Sequence, residues 1–141
     1  MRYIKTFESE NWWVDTVDKT ELKSFAESYL AYLMDEGFVI GINLDRHEDD
    51  AVVDLHLTNP DTTIYENDTP FLWEDIKDHF IPFMTMFSKK YSFSVLKLYA
   101  SPGSEVRSFR SGTDSLFRLL SDRFEVEEEL REIIISNIRR V

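Results

Sequence analysis

The chain of 141 residues contains no cysteine, which excludes a disulfide framework and any thiolate metal site. It holds only three histidines, His47, His56 and His79, so its means for imidazole chemistry are thin. Four glycines and four prolines are scattered along it, with no glycine-rich linker, internal repeat or low-complexity stretch. There is no Walker loop, G-x-G-x-x-G, G-x-S-x-G or H-E-x-x-H, so no cofactor is expected and a nucleophile-based enzyme has no motif to rest on. No stretch reaches the ~18–20 apolar residues of a membrane span, and the opening lacks the apolar centre of a secretory signal. A cytoplasmic protein without membrane contact is the expectation, and a reducing compartment is compatible with the missing cysteine.

What is present is material for a core. Hydrophobic residues make up 43% of the chain and aromatics 14%, including 11 Phe, 6 Tyr and 3 Trp. At this length a single domain over 1–141 is expected. The formal charge of −11 is unevenly placed: residues 1–88 carry 19 acids and 6 bases, and residues 89–141 carry 8 acids and 10 bases. Direct nucleic-acid binding is not expected of such a surface. It suits solubility, docking on a partner with a basic surface, or mimicry of DNA phosphates.

Periodicity predicts a helix over about 19–36. Leu22, Phe25, Ala26, Tyr29, Leu30 and Leu33 share one stripe, Asp18 and Glu21 resemble a capping box, and Gly37 is a left-handed stop. Two alternating strands follow, FVIGINLD and AVVDLHLT. Their apolar faces meet only if Leu44 opposes Val53, Ile42 opposes Leu55 and Ile40 opposes Leu57, leaving a four-residue loop, His47-Glu48-Asp49-Asp50. A second helix is expected with Thr69 as N-cap and Pro70 at its first position, kinked or broken near 79–82 by Pro82. A third strand spans about 91–100, and residues 105–110 read as a short edge strand. Helices over about 114–123 and 126–140 close the chain, the last with a stripe of Val126, Leu130, Ile133, Ile134 and Ile138. The expected architecture is α+β: a small, mainly antiparallel sheet of three to four strands packed with helices, in the order α-β-β-α-β-(β)-α-α.

The hairpin register gathers Asn43, Asp45, Asp54, His56 and Thr58 on one polar face, with Gly41 opposite His56. His56 and Asp54, two apart on a strand, have the spacing to ligate one ion, with Asp45 or water completing the shell. The same alternation is equally that of the solvent side of a half-buried sheet. His56, Asp54 and Asp45 are thus the candidates for a metal- or phosphate-dependent hydrolase. The loop acids lack the spacing of a calcium loop, and no metal site is otherwise indicated. His56-Leu57-Thr58 also resembles half of the 2H phosphoesterase pattern, whose second H-x-[ST] strand is missing here.

Two further binding candidates come from the rest of the chain. Arg107 and Arg110, ahead of a helix expected to start near 114, suggest an anion site. Trp12 and Trp13 either cover one end of the core or anchor a partner.

The first nine residues, MRYIKTFES, resemble the openings of many small tailed-bacteriophage accessory proteins, of the type M-[KR]-x-I-K-x-F-E, and the leaders of internal head proteins of T-even-like phages. That resemblance implies a setting, the host cytoplasm or the virion, and no functional residue. The leading expectation is therefore a small acidic, non-enzymatic protein that binds a host or virion protein, as an inhibitor or DNA mimic. The alternatives are the hydrolase and a virion structural component that self-associates through the third strand or the last helix.

Overall fold

The computed structural model describes residues 17–47, 50–60, 68–101, 104–110 and 125–141, with the backbone alone for 45–47, 50–51 and 101. Trp12, Trp13, the opening nine residues and the expected helix 114–123 lie outside the described residues.

The first helix starts where its cap predicts. Asp18 accepts hydrogen bonds from the backbone N–H of Thr20 and Glu21 at 2.9 and 3.1 Å, satisfying donors the helix leaves unpaired. The expected single helix is two: α1, Lys19–Tyr29, and α2, Ala31–Asp35, separated at Leu30. Just before the break, the Ser28 hydroxyl donates to the Phe25 carbonyl at 2.7 Å, a side-chain bond that competes with the helical ladder. Gly37 ends the unit at φ +103°, a conformation that penalises any Cβ.

Strands β1, Val39–His47, and β2, Asp50–Thr58, pair antiparallel with Leu44 opposite Val53, Ile42 opposite Leu55 and Ile40 opposite Leu57. The apolar alternation thus set the register. The ladder runs on to His47 opposite Asp50, so these two residues, expected in a four-residue loop, belong to the strands; Glu48 and Asp49 lie outside the described residues.

Helix α3, Trp73–Lys90, starts later than expected, with Leu72 as N-cap and no side-chain cap. Thr69 and Pro70 are not helical because Phe71 is held extended: its N–H and carbonyl both bond to Leu130 at 2.8 Å. Pro82 lies inside α3 without breaking it. Pro82 and Asp78, whose carbonyl loses its partner, are both exposed, so water can satisfy the missing bond. Ile76, Phe80, Phe83, Met84 and Phe87 are buried along one side of the helix, as is Trp73.

The end of the chain departs most from expectation. Residues 126–140 are not a helix: β6, Glu132–Ser136, is the middle strand of a five-stranded sheet. The third strand is divided into β3, Tyr91–Ser92, and β4, Val95–Ser101, and the edge strand β5 is Ser104–Arg110. The sheet order is β1-β2-β6-β4-β5, with every pair antiparallel. A short β7, Arg139–Arg140, pairs with β3. Glu127, Glu128 and Glu129 are exposed and belong to no first helical turn.

The strand prevails for two reasons. A strand suits the β-branched side chains of Ile133, Ile134 and Ile135, and it buries Ile133 and Ile135 completely. It also supplies hydrogen-bond partners to β2 and β4 at once, closing two edges whose backbone groups need them. One row, Ile42–Leu55–Ile135–Leu96–Phe109, crosses all five strands on the covered face. It joins the stripes of α1 and α3 in one core.

The breaks after β3 and β6 lie side by side. Asn137, at φ 57°, turns the chain as an asparagine can. Its amide donates to Ser94 Oγ at 2.8 Å, and its backbone N–H donates to Asp54 Oδ1 at 2.9 Å. The fold is thus mixed helix and strand with an antiparallel sheet. Among the described residues no helix is long and apolar enough to cross a membrane.

Candidate functional site

The face of the sheet opposite the core carries the histidine candidate. His56 sits between Gly41 on β1 and Ile134 on β6. A side chain at Gly41 would approach its Cβ to 3.9 Å, ordinary contact, so room for the imidazole does not require the glycine. The ring is bonded at both nitrogens. Nδ1 lies 2.9 Å from Glu132 Oε2, and Nε2 lies 3.1 Å from Asn43 Nδ2. With Nδ1–H donating to the carboxylate, Nε2 accepts from the Asn43 amide; one neutral tautomer satisfies both bonds.

Among the described residues Asp54 makes no hydrogen bond to this group; its Oδ1 accepts from the backbone N–H of Asn137. Asp45 lies on β1 opposite Val52. Thr58 shares the open face, opposite Val39 and Glu132. Among the described residues, no three His, Asp or Glu side chains are grouped to hold a metal ion. The network therefore links three strands through Asn43, His56 and Glu132, and its ring nitrogens are already engaged. Glu132 is the member that sequence reasoning missed, because it was assigned to the interior of a helix.

The arginine candidates are separated by strand geometry. Arg107 and Arg110 oppose Leu98 and Val95 on β4, an odd separation along β5 that sends them to opposite sides of the sheet. Both are exposed, and Arg107 donates to the carbonyl of Val106 at 3.0 Å. β5 therefore does not converge them on one anion. The extra residue Val106, between the pairs Leu98–Arg107 and Tyr99–Glu105, makes a bulge in this charged edge.

A second place was not singled out by any motif. An open cleft of about 440 Å³ lies where α2 meets the start of α3. The residues that line it include Tyr32, Phe38, Phe71, Glu36, Asp75 and Asn59, of which Phe38 and Phe71 are buried. Phe38 and Phe71 meet edge to face at 5.1 Å and 68°. Tyr32, 55% exposed, stacks on His79 with centroids 4.4 Å apart and planes 9° from parallel. Glu36 and Asp75 are exposed, and neither is in an ion pair among the described residues. Among the described residues, no lysine or arginine lines the cleft. The one sequence signal was Tyr32, an aromatic residue off the buried stripe of its helix.

Elsewhere a few charges are paired, while others, such as Glu27, Glu74 and Asp78, are in no ion pair among the described residues. At the far end of α3, Lys90 Nζ lies 3.3 Å from Glu21 Oε1 and 5.5 Å from the Phe25 ring centroid. Tyr91 is buried there, and desolvation, reinforced by the Glu21 charge, pushes its hydroxyl up from 10.0 to about 12.

Comparison of the chain with protein-family models, with curated proteins and with solved structures returned no match.

Proposed function

We propose that this protein is a non-enzymatic binding protein that docks a basic surface of another protein at the Tyr32 cleft. The observation that carries this reading is that two carboxylate residues, Glu36 and Asp75, line the same cleft as the exposed Tyr32, with no ion pair to either among the described residues. Apolar area supplies affinity when it is removed from water, and an acidic rim steers a basic partner while rejecting an acidic one. The excess of acids over residues 1–88 extends the same field beyond the cleft. The phage-like opening, MRYIKTFES, supports a partner in the host cytoplasm or the virion, with inhibition of a DNA-binding host protein as one outcome of such docking.

The hydrolase reading has less support. Both ring nitrogens of His56 and one oxygen of Asp54 are engaged within the fold, so a metal or substrate would first have to displace them. Self-association through the β4 part of the third strand also lacks a basis, since β4 is flanked by β6 and β5 and has no free edge. The last helix, the other expected contact, does not exist.

A photo-crosslinking residue at position 32 tests the proposal in lysate of the natural host. The expected result is a crosslinked protein with a basic surface, lost when Glu36→Lys and Asp75→Lys are combined. A crosslink that survives this charge reversal, or phosphoesterase turnover that disappears in His56→Ala, overturns it.

A further inference from the structure

The cleft has a chemistry more specific than negative charge. Its lining includes Glu36, Asp75 and Asn59 beside Tyr32, the one exposed aromatic residue among those that line it. The stack on His79 holds the Tyr32 ring in one orientation while leaving the residue 55% exposed. The T-shaped Phe38–Phe71 pair, both residues buried, also belongs to the lining. Asn59 is placed by Gly37: a Cβ there would come within 3.2 Å of Asn59 Oδ1, at a φ that already excludes most side chains.

Resting on the docking role proposed above, we infer that the cleft recognises arginine, its guanidinium stacked on the Tyr32 ring and bonded to Glu36 and Asp75. A guanidinium is flat, carries five N–H donors in a fixed fork, and is weakly hydrated, so it can lie against an aromatic face while its edge meets carboxylates. An ammonium group is compact and strongly hydrated, and gains less from the ring. A neutral aromatic ligand would leave both carboxylates desolvated without a counter-charge. At about 440 Å³ the cleft falls within the range of ordinary ligand pockets.

The test uses the full chain and fluorescence anisotropy with labelled Gly/Ser peptides that differ only in carrying paired arginines, lysines or citrullines. The arginine peptide is expected to bind about tenfold more tightly than the lysine peptide, with citrulline binding lost. Tyr32→Ala is expected to bring arginine down to the lysine level, while Tyr32→Phe keeps the preference because the ring remains. Combining Glu36→Gln with Asp75→Asn weakens both cationic peptides. All these side chains are exposed, and circular dichroism confirms that each variant is folded. Equal binding of arginine and lysine overturns the inference but leaves the docking role standing. Arginine preference unchanged in Tyr32→Ala does the same. Binding of neither cation, or of citrulline as well as arginine, removes both.

Discussion

Glu132 and Glu36 are both glutamates at the surface of the same small fold, yet they are used in opposite ways. Glu132 faces the open side of the sheet and accepts from His56, which in turn accepts from Asn43. That chain of bonds crosses three strands and is complete within the molecule. Glu36, beside Asp75 at the aromatic cleft, has no counter-charge among the described residues. A satisfied polar network stabilises what is already there. Carboxylates left without partners beside apolar surface have affinity to spare. Of two acidic places, the one resembling an active site is built into the sheet, and the one without a motif faces outward.

The sheet's side of this comparison depends on β6, and the largest effects are expected there. Ile135→Ala should cost about 3 kcal/mol by urea denaturation, because it leaves a cavity in the row that crosses all five strands. Ile134→Ala, on the half-buried face, should cost about 1 kcal/mol. The opposite ranking would restore a helix to this segment, since Ile134 and not Ile135 lay on its stripe. Next comes Gly37→Ala, with an expected loss of about 1–3 kcal/mol from forcing a side chain to φ +103° against Asn59.

A smaller effect separates the two acidic places directly. Glu132→Ala should lower stability by about 1–2 kcal/mol and leave affinity for a basic peptide unchanged. Glu36→Gln with Asp75→Asn should do the reverse, moving stability by no more than about 0.5 kcal/mol while weakening the peptide. A shared response to the two changes would erase the distinction between them. The smallest effect at neutral pH is that of Tyr91→Phe, about 0.5 kcal/mol or less, because the hydroxyl meets Glu21 only at 3.4 Å. Its signature is alkaline. The unfolded tyrosine ionises from pH 10 while the folded one stays neutral to about 12. Wild-type stability should therefore fall across that window, and Tyr91→Phe should remove that part of the fall in thermal melts.

Where strict alternation was combined with one buried face, the chain was readable residue by residue. The β1–β2 register followed from Ile40, Ile42, Leu44, Val53, Leu55 and Leu57 alone, and α1 announced itself through Asp18 and its stripe. The failures came where apolar residues are continuous. Ile133-Ile134-Ile135 has no period, so its pattern fits helix and strand alike, and its β-branched side chains and the gap between β2 and β4 decide. Phe71 was misplaced for a related reason, since its extended backbone is imposed by Leu130, far along the chain. The His56 face was partly legible: Asn43 and His56 were placed together, but Glu132 arrives from a strand not foreseen. The cleft depends on packing between α2, α3 and the Phe38–Phe71 contact, and no local pattern encodes such a meeting.

The position of β6 also shapes how the protein comes into being. Both hairpins, β1–β2 and β4–β5, emerge from the ribosome before the strand that joins them. Until β6 is synthesised, β2 and β4 are open edges flanked by apolar side chains, the kind of surface that recruits other nascent chains. Closing the sheet then requires β6 to meet β2 across a long stretch of polypeptide, a slow step set by loop entropy. Arrival of β6 is thus the moment at which these two open edges change from an aggregation hazard to the interior of a closed sheet.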